Sequence, residues 1–205
     1  MDAFLNSPDR LTDQGRRDYA LLLFFCNTGS RADEAAQLTI GDLEIASNAK
    51  KGFSVVVIKG KGNKLRRCPL WPDTGKELTS VIAGREQHEH MFLNRRKEPI
   101  TRFGTHTLVK RHVKKLIAGF LSLKKKRMSP HTIRHSTATH LLHSGVDINT
   151  IRAWLGHVSI NTTNVYVEVN LEMKAKALAC FEVTSKKTKQ HWRDDKNLMS
   201  FLDSL

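Results

Sequence analysis

Acidic side chains are scarce in this chain: 20 Asp plus Glu face 34 Lys plus Arg, for a net charge of +14 and a pI near 10.0. An excess of that size favours a polyanionic partner, through electrostatic attraction and counterion release, and nucleic acid leads that class. Basic charge alone also fits a ribosomal or membrane-surface protein. Cysteine is scarce as well: Cys26, Cys68 and Cys180 are far apart and odd in number, so they imply neither a disulfide framework nor a zinc cluster, and a reducing cytoplasm fits. Long hydrophobic runs are missing. The longest, residues 19–26, is too short to cross a bilayer, and no signal peptide is seen. Internal repeats and low-complexity segments are absent. What remains is ordinary for a soluble globular domain: 205 residues, 40% hydrophobic and 26% charged.

Chemistry-bearing side chains concentrate in residues 129–166, which hold His131, Arg134, His135, His157 and Tyr166. Ser129 before Pro130 reads as an N-cap followed by proline at the first helical position. The helix it starts should run to about residue 143, because Ser144-Gly145 supplies a stop. On it His131, Arg134 and His135 fall at i, i+3 and i+4 and so share a face. Asp147 is expected to cap a second helix ending at Gly156, and Ser159 a third that carries Tyr166, with His157 in the turn between. An HxxxH pair can bind zinc, but the zincin glutamate is missing and Arg134 would set a fixed positive charge beside the metal. Taken singly, each of these residues reads as a packed side chain. Together they form a kit for phosphodiester chemistry without metal: a bidentate guanidinium, histidine donors and a hydroxyl nucleophile.

Upstream, Thr12 or Asp13 should cap a helix running through residue 25 that is apolar nearly all round and therefore central to the core. Ser30 is expected to cap the next helix, residues 31–38, where Arg31 in the first turn is electrostatically out of place. Residues 53–58 and 64–70 read as a hairpin turning at Gly60-Lys61-Gly62-Asn63. A helix follows near Asp73, short extended pieces surround residues 91–100, and residues 105–123 make a helix with one apolar stripe and one basic face. Lys124, Lys125, Lys126 and Arg127 form a basic run suited to phosphate contact.

The pattern His131-x-x-Arg134, Leu155-Gly156-His157 and Tyr166 nine residues later resembles the tyrosine recombinase (phage integrase) family. Thr28-Gly29-x-Arg31-x-x-Glu34 is similar to its first arginine motif, and Gly60-Lys61-Gly62-Asn63-Lys64 to its lysine hairpin. The resemblance implies an α+β fold, a mainly helical catalytic domain with a small antiparallel β-hairpin or sheet. It implies Arg31, Lys61, His131, Arg134, His157 and Tyr166 as catalytic residues, Glu34 and His135 as their supports, and no metal or cofactor. Lys64, Arg66 and Arg67, with the basic run 124–127, are then expected to contact backbone phosphates. The activity implied is site-specific recombination or integration of double-stranded DNA through a 3′-phosphotyrosyl intermediate, as in mobile elements. A tetramer on synapsed DNA, a monomer without it, and a cytoplasmic location with no membrane contact go with it.

Residues 1–183 are assigned to the catalytic domain, and 184–205 to a polar linker and apolar tail helix of the kind that docks on a neighbouring protomer in this family. The N-terminal DNA-clamping domain carried by most members is expected to be absent. Type IB topoisomerase-like cleavage and a catalytically decayed DNA-binding protein are the alternatives.

Overall fold

The computed structural model describes residues 2–45, 53–117 and 128–156. His157, Tyr166, the basic run 124–127 and the tail 184–205 lie outside them, as does the helix expected after Ser159.

The chain opens with a single turn, α1 (Asp2–Leu5), that the sequence did not announce. The central element is α2 (Asp13–Thr28). Thr12 caps it, its hydroxyl accepting from the Gly15 N–H at 3.0 Å, and every residue from Ala20 to Thr28 is buried. A helix apolar on all sides needs neighbours on all sides. Here α2 packs against α4 (Pro72–Ile82) and α6 (Pro130–His143), while Phe24 meets Phe25 edge-on at 6.2 Å and Phe92 at 5.7 Å. Burying an aromatic of this kind contributes about 1.5–3 kcal/mol.

A three-stranded antiparallel sheet, rather than a two-stranded hairpin, stands beside the helices in the order β1 (Leu43–Glu44), β2 (Val55–Lys59), β3 (Leu65–Pro69). β1 is too short to leave a periodic signal. The β2–β3 register sets Val56 opposite Cys68 and Ile58 opposite Arg66. Directly opposed residues share a face, so Arg66 stands on the same side as three fully buried side chains. The turn between these strands is a 3-10 turn over Lys61–Asn63, with Lys61 exposed.

α3 (Ala32–Gln37) packs on α5 (Arg102–Ile117), and α7 (Ile148–Leu155) packs on α6 and β3. Helix ends follow the expected chemistry. Ser129 accepts from the Thr132 N–H at 3.3 Å, and Asp147 accepts from Asn149 and Thr150 at 2.9 and 3.0 Å. The expected Ser30 cap is displaced by one residue. Arg31 takes the N-cap position, and Glu34 reaches back to its backbone N–H at 2.8 Å. Among the described residues no helix is long and apolar enough to cross a membrane.

Candidate active site

Two left-handed glycines bring the site together. Gly29 (φ 59°) ends α2 and Gly156 (φ 67°) ends α7. A Cβ on Gly29 would lie 2.6 Å from Leu155 Cδ2, so the two helix ends abut only because that position is glycine. Their outward carbonyls carry the negative ends of the helix dipoles. Arg134 bridges them, Nη1 donating to Gly29 O at 2.7 Å and Nη2 to Leu155 O at 2.6 Å, with only 3% of the residue exposed. Its guanidinium is thereby fixed before any ligand arrives.

Arg31 at the start of α3, with His131 and Arg134 on α6, border one cleft of about 310 Å3. Arg102, Phe103 and His106 of α5 line its other side. The buried Ser30 hydroxyl also borders it, without a hydrogen-bond partner among the described residues. A cleft lined by three arginines and two histidines suits a phosphate. His131 and His135 stand edge-on with Nε2 atoms 2.7 Å apart, so one ring donates to the other. Burial, then the neighbouring His131 and Arg134, hold His135 below the ordinary histidine pKa. That favours its neutral form, the one able to accept.

Glu34 organises the arginine side. Its Oε1 accepts from Arg31 Nη1 at 2.7 Å and from Arg66 Nη1 at 3.1 Å; its Oε2 accepts from Arg66 Nη2 at 2.7 Å. Burial alone would raise its pKa, but the hydrogen bonds and charge of Arg66, with those of Arg31, outweigh this and hold it below the usual carboxylate range. The out-of-place cation of the sequence, Arg31, is thus matched by a carboxylate one turn on.

Of the residues expected on phosphates, Lys64 is exposed, and Arg67 is exposed and paired with Glu44 at 2.5 Å. Arg66 is different. Its side chain is only 9% exposed and turned inward, a placement at odds with the phosphate contact expected of it. The sequence carried a signal for this: Arg66 and Cys68 alternate with Leu65 and Arg67, and period-two alternation puts the first pair on one face. Cys68 is indeed fully buried while Leu65 is 68% exposed. Burial raises the Cys68 thiol pKa and pushes that of Cys26 up to about 12, so both are inert thiols.

Residues 1–173 match the phage integrase family. The chain belongs to that family. A Sinorhizobium fredii relative, y4rC, is 36% identical over 207 residues, covering all of this chain and 60% of its own length. Tyrosine recombinase XerD of Halalkalibacterium halodurans is 33% identical over 176 residues, covering 82% of this chain and 55% of the relative. The chain therefore spans little more than half the length of these phage integrase relatives. Among solved structures of the family, the XerH site-specific recombinase bound to palindromic difH substrate, a post-cleavage complex, superposes with a TM-score of 0.68 at 26% identity. That match covers 88% of this chain and 51% of XerH. The mainly helical architecture with one small antiparallel sheet is accordingly the fold of the family's catalytic domains.

Proposed function

We propose that this chain is the catalytic part of a tyrosine-type site-specific recombinase that cuts and rejoins double-stranded DNA through a 3′-phosphotyrosyl intermediate. The observation that carries the reading is the common cleft of Arg31, His131 and Arg134, built on a family fold. In this reading the two arginines and His157 hold the non-bridging oxygens of the scissile phosphate and stabilise the charge that develops there. Tyr166 Oη attacks phosphorus in line, and the bond from phosphorus to the 5′-oxygen breaks. His131 assists removal of the tyrosine proton, and Lys61, exposed at its hairpin tip, protonates the leaving 5′-oxygen. One phosphodiester replaces another, so the bond energy is retained, and a partner strand's 5′-hydroxyl reverses the step. Neither ATP nor a metal enters this scheme.

Lys64, Arg67 and the basic run 124–127 would contact backbone phosphates. Four copies on synapsed DNA, linked by the 184–205 tails, would exchange strands in the cytoplasm. The test is covalent capture on a nicked suicide substrate. Tyr166→Phe removes one hydroxyl, so salt-dependent DNA binding should survive and the adduct should vanish. An adduct that persists in Tyr166→Phe, or a wild type that forms none on its proper site, overturns the recombinase reading.

A further inference from the structure

We propose that Arg66 is a positioning residue that seats the Lys61 turn against Glu34 and the end of α7. The proposal rests on the recombinase reading only for the role it gives Lys61. Three observations support it.

First, each of the three guanidinium nitrogens has an acceptor. Nη1 and Nη2 grip the two oxygens of Glu34 at 3.1 and 2.7 Å, and Nε donates to Trp154 O at 3.0 Å. That geometry suits arginine and cannot be reproduced by lysine, a point charge without a planar fork. Second, two turns rest directly on this group. A Cβ on Gly60 would lie 3.4 Å from Glu34 Oε1 and 3.5 Å from Arg66 Nη1. A Cβ on Gly156 would lie 3.2 Å from Arg66 Cδ and Nη1. The residues that follow these glycines in the chain are Lys61 and His157. Third, the adjacent carbonyls of Trp154 and Leu155 are taken by Arg66 and Arg134 respectively, so β3 and α6 hold the same helix end.

One guanidinium therefore ties together the Glu34 carboxylate that also holds Arg31, the base of the lysine turn and the α7 terminus. The Gly60 N–H closes its turn onto Lys64 O at 2.8 Å, and that turn has the ion pair beneath it. Loosening the pair should let the lysine tip wander, and a misplacement of about 1 Å can cost about 100-fold in rate.

The test uses the whole chain with two variants. Arg66→Lys keeps a charge beside Glu34 but loses the fork and the Trp154 contact. The pair Glu34→Gln/Arg66→Met removes both charges together and avoids stranding a buried carboxylate. For Arg66→Lys, single-turnover cleavage of a normal 5′-oxygen substrate should fall about 10- to 100-fold. It should fall much less on a 5′-bridging sulfur substrate, whose leaving group needs no proton. Amide hydrogen exchange across residues 59–65 should rise while the global unfolding midpoint stays near wild type. DNA affinity and its salt slope should be unchanged in both variants.

Equal slowing on both substrates, or wild-type exchange in the turn, overturns the proposal. A salt slope smaller by about one in the double variant does so too, by returning Arg66 to a phosphate. The exchange arm needs no catalysis, so a wild type that forms no adduct sinks the recombinase reading while the seating of the turn is still decided.

Discussion

Two buried carboxylates, Asp18 and Glu34, are each gripped by a pair of arginines, yet they serve different ends. Asp18, 2% exposed, accepts from Arg17 Nε at 2.7 Å, from Arg111 Nη2 and from His112 Nε2 at 3.0 Å. His112 reaches Ser7 Oγ at 2.9 Å through its other nitrogen. The Ser7–His112–Asp18 series has the order of a nucleophile triad, with Phe4 O, at 2.8 Å, a second acceptor within reach of the serine hydroxyl. The cluster ties the segment after α1 to α2 and α5. Glu34 faces the other way: its partner Arg31 is 41% exposed and borders the cleft. Similar groups thus build a lock where the partners of Asp18 tie three segments of the fold together, and a cradle where one partner of Glu34 borders the candidate phosphate cleft.

The largest effect should come from breaking the lock. Asp18→Asn removes the negative charge that faces the largely buried Arg17 and leaves one side-chain oxygen for the three donors of Arg17, Arg111 and His112. It should cost about 3–5 kcal/mol, toward the lower end because Arg111 is 38% exposed and screened. Urea unfolding would show it, and DNA affinity of the folded fraction should be unaltered. Glu34→Gln keeps the shape and some hydrogen bonds, so its stability cost should be smaller, about 1–3 kcal/mol. Its cleavage rate should nevertheless fall by about 100-fold, because both Arg31 and the lysine turn lose their anchor. Comparable unfolding losses in the two variants, with cleavage intact in Glu34→Gln, would erase the distinction between lock and cradle.

Acid should act on both sites. Each carboxyl is held below its ordinary pKa, Asp18 because the His112 hydrogen bond and the charges of Arg17 and Arg111 overcome the opposing effect of burial. The unfolded chain then binds protons before the folded one as pH falls. The stability these groups contribute is full above the unfolded values, about 3.9 for Asp and 4.3 for Glu, and is lost as pH drops through the folded ones. Unfolding midpoints should therefore hold from pH 7 to about 5 and fall below about 4, with a shallower acid limb in Asp18→Asn than in wild type.

The smallest effect belongs to the exposed pair Arg67 and Glu44, whose side chains are 64% and 48% exposed. Arg67→Ala should shift stability by less than about 1 kcal/mol. If Arg67 meets a phosphate, the salt slope of DNA binding should fall by about one; an unchanged slope removes that contact.

Much of this was legible along the chain because the signals are local. The caps Thr12, Ser129 and Asp147 and the stops Gly29 and Gly156 act within one turn of backbone, so α2, α6 and α7 could be read with their ends nearly in place. The spacing of His131, Arg134 and His135 is a property of helical pitch alone. The third strand escaped because two residues carry no period, and the partner of Glu34 escaped because it lies 32 positions away.

Sequence by itself determined which side chains are available for phosphate chemistry and which helix presents them, since pitch and capping depend on near neighbours only. Tertiary structure decided what each cation does. Arg31, Arg66, Arg67 and Arg134 are the same residue type in similar motif contexts. Burial and distant acceptors turned one toward the cleft and another toward Glu34 and Trp154 O, left a third exposed to solvent, and fixed the last across two helix ends. A guanidinium's role is set by the oxygens within about 3 Å of it, and only folding brings those oxygens together.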